Sequence, residues 1–161
     1  MVSWLRGAGG GGAHDSGMVV SVRGVVEGDV PLLEAFDPLV LRGDVSRSRA
    51  IRRWAARNGV RVAELDGQVV GYCVIDESFF EQSFVVLVVV AEDCRRRGIG
   101  GHLMRDAEQY RRTPKLFTST NLSNHAMQGL LMKLGWQSVG IVYGLDEEDP
   151  ELFFMAPRVS G

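Results

Sequence analysis

The chain has 161 residues, 45% hydrophobic and 24% charged, with 18 basic residues against 20 acidic ones and a formal charge of −2. That length fits one domain, and the composition excludes a collagen-like or wholly disordered chain. The charge balance provides no positive field to draw in nucleic acid or an anionic membrane, and the longest unbroken apolar run, Phe84 to Ala91, falls far short of the ~20 residues of a membrane-spanning helix.

Six of the 20 glycines fall within residues 1–17, which read as a flexible glycine-rich N-terminal extension ahead of a single domain over residues 18–161. From there the hydrophobic period changes repeatedly. Val19 to Val25 is rich in β-branched residues and predicts a strand; Asp29-Val30-Pro31 opens a helix through Phe36, because proline suits a first helical turn. A second helix is predicted over Arg47–Arg57, where five arginines surround Ile51 and Trp54 as a solvated face around an apolar anchor. A hairpin follows, Val60–Leu65 and Val69–Ile75 joined by Asp66-Gly67, a pair that tolerates the positive φ of a tight turn. Phe84 to Val90 has no polar alternation and predicts a central strand covered on both faces.

Ile99, Leu103, Met104, Ala107 and Tyr110 fall on one side of an amphipathic helix reaching about Arg111. Leu116–Thr120 reads as a short strand. A helix over Asn124–Leu134 has Ser123 as its expected N-cap and Gly135 at its C-terminal cap. Strands at about Gln137–Tyr143 and Leu152–Pro157 flank an acidic turn. The order is β-α-α-β-β-β-α-β-α-β-β. Cys73 and Cys94 form neither a Cys-x-x-Cys pair nor a disulfide framework, which points to free thiols in a cytoplasmic setting; no metal is called for.

The most informative stretch runs from Val90 through Arg95-Arg96-Arg97-Gly98-Ile99-Gly100-Gly101, a buried strand ending in a basic, glycine-rich turn that feeds a helix. A helix N-terminus presents unpaired N–H donors and partial positive charge. Glycines let an anion approach those donors, and arginines add charge and forked donors. The geometry suits a pyrophosphate. It is not a P-loop, since no Gly-Lys-Ser/Thr is present, nor a dinucleotide fingerprint, since Leu103 takes the third glycine position.

At these residues the sequence resembles the GNAT superfamily of acetyl-CoA-dependent N-acetyltransferases, whose signature Arg/Gln-x-x-Gly-x-Gly/Ala is matched by Arg95–Gly100, with Val90 at the preceding strand valine. The resemblance extends to Glu64–Gly71, to Asn124 and to Lys133-Leu134-Gly135-Trp136, and spans about Val19 to Pro157. It implies an α/β (α+β) fold with a mixed, mostly antiparallel central sheet whose middle strands splay apart. It places acetyl-CoA, as cosubstrate, in that splay: pyrophosphate on Arg95, Arg96, Arg97, Gly98, Ile99, Gly100 and Gly101, pantetheine along Val88 and Val90, and Asn124 on the other side.

The activity implied is acetyl transfer to a primary amine, favouring a small molecule, by direct attack in a ternary complex. Homodimers are frequent in the family. The alternatives are a non-catalytic acyl-CoA sensor and an acetyltransferase for protein N-termini or lysines. The family's usual acid, a tyrosine seven residues after the asparagine, is replaced by Leu131. Its recurrent glutamate positions fall at or beside Phe84 and at Ser119. The candidate base is Glu81, expected at the mouth of the central strand and acting through water, with Tyr143 and Ser119 as weaker proton donors. Cys94, beside the arginines, is expected to have a depressed pKa. Asp146–Glu151 carries five acids in six positions and reads as a solubilising turn, with attraction of a cationic acceptor as the alternative.

Overall fold

The computed structural model describes residues 17–158, so all but Gly17 of the expected glycine-rich extension lies outside them. Among these residues seven strands form one sheet: β1 (Val20–Gly24), β2 (Val60–Leu65), β3 (Gln68–Phe79), β4 (Gln82–Val90), β5 (Leu116–Asn121), β6 (Gln137–Val142) and β7 (Glu151–Met155). Their spatial order is β1-β2-β3-β4-β5-β7-β6. Every adjacent pair is antiparallel except β4 with β5, which is the mixed sheet expected. Five α-helices flank it: α1 (Val30–Phe36), α2 (Pro38–Leu41), α3 (Val45–Ala56), α4 (Ile99–Tyr110) and α5 (His125–Lys133).

Three elements depart from the sequence reading. The short helix α2 is additional: Asp37 accepts bonds from Leu39 N and Val40 N at 3.0 and 3.1 Å, and Pro38 follows it at the helix start. Strand β3 runs on through the polar stretch Asp76-Glu77-Ser78 to Phe79, because β4 begins at Gln82 and pairs with it. The N-cap of α5 is Asn124, not Ser123. Asn124 Oδ1 accepts from Met127 N at 3.2 Å, whereas Ser123 donates through both N and Oγ to Asp149.

The sheet divides the interior in two. On one face Val85, Val88 and Val90 pack with Ile99, Leu103, Met104 and Ala107 of α4 and with Met127 and Leu131 of α5. On the other, Leu87 and Val89 join Tyr72 and Val74 under Leu33 of α1 and Ile51 of α3. β4 is therefore covered on both faces, as its unbroken apolar run requires. Gly71 sets how closely α4 can lie on β3: a Cβ there would stand 2.9 Å from the Val89 carbonyl oxygen and 3.3 Å from Ile99 Cγ2.

Candidate active site

The site is made by a fork in the sheet. β4 and β5 pair only at Ser83–Val85 with Leu116–Thr118. Beyond that, β4 continues to Val90 and β5 to Asn121 as separate arms. Two local features accompany the divergence. The register between β3 and β4 slips at Val86, since Val74 faces Leu87 while Ile75 faces Val85, and such a bulge bends its strand. On the other arm the Thr118 hydroxyl donates to the Val85 carbonyl at 2.9 Å.

Val88 and Val90 line the opened edge. Ala91 N donates to Val70 O at 2.8 Å, and backbone groups of successive strand residues point alternately to opposite sides. The N–H and C=O of Val88 and Val90 are therefore turned away from β3, toward the fork.

The arm of β4 ends in the basic turn. After a 3-10 turn at Glu92–Cys94, Arg95 folds back and its Nε donates to the Val90 carbonyl at 3.3 Å. Arg95 thus fixes the strand end to the turn, while Arg96 and Arg97 are exposed. Arg96 and Gly98 both take left-handed φ, 63° and 75°. Left-handed residues in a turn curl successive N–H groups into a concave surface, and at Gly98 the geometry favours glycine. Gly98 is the N-cap of α4, and no side chain caps that end. Ile99, Gly100 and Gly101 are buried in its first turn, so no side chain of that turn stands over its N–H groups.

On the other arm, Ser119 and Thr120 are buried, and Thr120 Oγ1 has no hydrogen-bond partner among the described residues. Asn124 stands beyond the end of β5 with Oδ1 occupied by the α5 cap, which leaves its Nδ2 as the group able to turn to a ligand. Leu131, where the family's tyrosine would stand, is fully buried in the core.

Several expectations are corrected by position. Glu81 sits not at the fork but on the tight turn joining β3 to β4, exposed, with Phe80 and Glu81 at φ 51° and 59°. At about 3.3 Å per strand residue, the bulge at Val86 lies roughly 16 Å along the strand. Tyr143 is 73% exposed, outside any strand. Burial pushes the Cys94 thiol pKa up, with the Asp93 carboxylate adding to the rise, so Cys94 is not an activated thiolate. The acidic run is not uniformly a solvated turn: Asp149 receives Ser123, and Glu151 is the first residue of β7, only 4% exposed. Among the described residues no group of three or more His, Cys, Asp or Glu is placed to hold a metal, and no helix is long and apolar enough to cross a membrane.

Beside the paired stem of the fork, Phe79 collects four phenylalanine rings. Phe80, Phe84, Phe117 and Phe153 lie with centroids 5.0–5.4 Å from it. Phe79, Phe80, Phe117 and Phe153, with Val139, Ile141 and Val142 of β6, line a mainly apolar groove of 680 Å3 whose lining is completed by Gly140, Gln82 and Lys115.

A forked mixed sheet with a basic, glycine-rich turn feeding a helix at the end of one arm defines an acyltransferase of the acetyl-CoA type. The sequence matches the acetyltransferase (GNAT) family over residues 32–136, and the chain belongs to that family. It is similar to a GNAT-family acetyltransferase from Bacillus cereus, with 29% identity and a TM-score of 0.82 over 88% of this chain and 99% of that one. Two more distant structures share the fold. One is YncA from Salmonella typhimurium, a putative acetyltransferase with its cofactor acetyl-CoA, at 18% identity and TM-score 0.69 over 88% of this chain and 94% of that one. The other is the diaminobutyrate acetyltransferase EctA from Paenibacillus lautus in complex with L-2,4-diaminobutyric acid and coenzyme A, at 21% identity and TM-score 0.69 over 90% and 99%. No curated protein matches by sequence.

Proposed function

We propose that the protein transfers an acetyl group from acetyl-CoA to a primary amine of a small molecule, by direct attack within a ternary complex. The observation that carries this reading is the fork between β4 and β5, whose one arm ends at the uncapped N-terminus of α4. The residues present fit the cosubstrate: the buried Thr120 hydroxyl lacks a partner among the described residues, and beyond Gly98's own chain neighbours no atom stands within 4 Å of where its Cβ would be.

In this reading the N–H groups of Gly98, Ile99, Gly100 and Gly101 take the pyrophosphate, with Arg96 and Arg97 neutralising its charge. Arg95 acts one step back, holding Val90. The opened edge of β4 at Val88 and Val90 bonds the pantetheine amides, and Asn124 Nδ2 closes on it from the β5 side. A backbone N–H beside the bulge polarises the thioester carbonyl. Holding the two reactants in one fork supplies much of the rate through orientation alone.

A small-molecule acceptor is supported by the phenylalanine-lined groove, whose 680 Å3 lies inside the roughly 300–1,000 Å3 range of small-ligand pockets. Initial-rate kinetics with acetyl-CoA and an amine varied together test the reading. Intersecting double-reciprocal lines are expected for a ternary complex, and parallel lines would point instead to an acetylated enzyme.

The absence of a tyrosine at Leu131 favours a second reading, a sensor that binds acetyl-CoA without turnover. Acetyl-CoA affinity with no thiol release across an amine panel would identify it.

A further inference from the structure

Glu151 presents a chemical anomaly. It closes an exposed acidic run and stands at a strand end, where a glutamate can extend into water. Instead it is 4% exposed, and both carboxylate oxygens are buried with no hydrogen-bond partner among the described residues. A buried, unpaired carboxylate is strongly disfavoured unless a cation or donor meets it. The unmet demand points to a ligand.

The register shows which face it occupies. Phe153, two residues along β7 and on the same face, stacks on Phe79 at 5.4 Å. The intervening Leu152 and the next residue Phe154 pack into the α4–α5 core. Glu151 therefore lies on the face opposite α4 and α5. On β5 that face presents Ser119 opposite Phe153 and Asn121 opposite Glu151. Ser119 is the first β5 residue past the last β4–β5 pair, Val85 with Thr118, and so stands at the fork itself. Glu151 is its diagonal neighbour on the next strand, a separation of roughly 7–8 Å between such pairs, which a glutamate side chain can span. A buried carboxylate on β7 thus lies one diagonal from the point where the sheet forks.

We propose that Glu151 receives the ammonium group of the acceptor and takes its proton, making the acceptor a cationic amine. This rests on the acetyltransferase reading above. At neutral pH a primary amine is protonated and has no lone pair to offer. The ammonium passes one proton to the Glu151 carboxylate, directly or through one water. The nitrogen lone pair then attacks the thioester carbonyl carbon; the C–N bond forms, the C–S bond breaks, and the departing thiolate takes the second nitrogen-bound proton. Glu151 afterwards releases its proton to solvent, so each turnover yields one amide, one thiol and one proton. The residues facing Glu151 across β5 and β6, Asn121 and Val142, do not titrate, and the nearest acid in sequence, Asp149, is engaged by Ser123.

The test uses the full chain and Glu151→Gln, which keeps shape and removes the charge. Binding of phenethylamine, putrescine and lysine methyl ester to the coenzyme A complex is measured by calorimetry at pH 7, and acetyl-CoA affinity is measured separately. At least one amine is expected to bind the wild type and to bind Glu151→Gln at least 10-fold more weakly, with acetyl-CoA affinity changed less than 2-fold and thermal stability unchanged or raised. For that amine kcat/KM is expected to fall about 10²–10⁴-fold at pH 7, with the loss shrinking toward the amine's own pKa. A purely structural role would depress rate equally at every pH and lower the melting temperature. No amine binding to the wild type, or equal binding to both proteins, overturns the proposal. Loss of acetyl-CoA binding by the wild type overturns the acetyltransferase reading and, with it, this one; amine binding that depends on Glu151 without turnover leaves the ammonium site standing and removes the chemistry.

Discussion

Tyr72 Oη donates a 2.6 Å hydrogen bond to Asp37 Oδ2, tying the middle of β3 to the Asp-Pro junction between α1 and α2. Both residues have no exposed surface. Asp37 also receives Arg47 Nη1 at 3.2 Å and caps α2 through Leu39 N and Val40 N. One buried carboxylate thus sets the angle at which the helices on that face meet the sheet. Burial, reinforced by the neighbouring carboxylate, pushes the Tyr72 hydroxyl pKa upward, so it remains a donor.

Tyr72→Phe is expected to cost about 1–3 kcal/mol, since the ring stays and only a bond to a charged acceptor is lost. Asp37→Ala should cost more, because it also removes the α2 cap and leaves Arg47 without its partner. Urea unfolding of the two variants measures both values and their order.

The acid side of the stability curve follows from Arg23. Its guanidinium bonds both oxygens of Asp29 at 2.7 and 2.9 Å and also reaches Glu64, and it holds the Asp29 carboxyl below the usual range. Glu34 is lowered in the same sense by Arg52 and Ser48. A depressed folded-state pKa gives stability that is fully present above the unfolded value of about 3.9–4.3 and is lost as pH falls through the lower folded value. Denaturant midpoints should therefore be flat from pH 7 to about 5 and fall steeply below about 4. Arg23→Met should lower stability at pH 7, on the order of 1 kcal/mol given the 36% exposure of Arg23 and solvent screening, and should flatten the acid limb.

Gly71 links packing to the site. An alanine Cβ would press on the Val89 carbonyl and on Ile99 in the first turn of α4. Gly71→Ala is expected to destabilise by about 1–3 kcal/mol and, by shifting α4, to raise the KM for acetyl-CoA. A stability loss with unchanged KM would separate the packing role from the binding role.

Gly98→Ala tests the turn itself. With φ at 75° and no atom near the added Cβ, the cost is backbone strain alone, roughly 1–2 kcal/mol for a residue with a Cβ. As the free turn relaxes out of the left-handed conformation that presents its N–H groups, acetyl-CoA binding should weaken by up to the corresponding 5–30-fold, while kcat at saturation changes little. Calorimetric titration of both proteins reads the difference.

The local signals in the sequence carry a large part of this structure. Asp66-Gly67 is a left-handed pair at φ 50° and 81°, and Gly135 ends α5 at 84°; both follow from residue types in a short window. The basic turn and α4 are legible for the same reason, since charge, glycine spacing and amphipathic period are adjacent in the chain. The unread features depend on partners far away in sequence. The slip at Val86 exists only relative to β3, and the fork only relative to β5. Glu151 looks like the last acid of a hydrophilic turn until β5 and β6 enclose it. Glu81 is misplaced by the same cause: where β3 ends is decided by its pairing with β4, which carries the hairpin tip away from the fork. Cys94 inherits its character from burial rather than from the arginines beside it in sequence.

The most direct test of acetyl transfer in the fork is release of free thiol from acetyl-CoA with and without a panel of primary amines, with the products identified by mass. One thiol per molecule of N-acetylated amine, released only when both substrates are present, is the predicted result. Tight acetyl-CoA binding with no amine-dependent thiol release from pH 7 to 10 would contradict it.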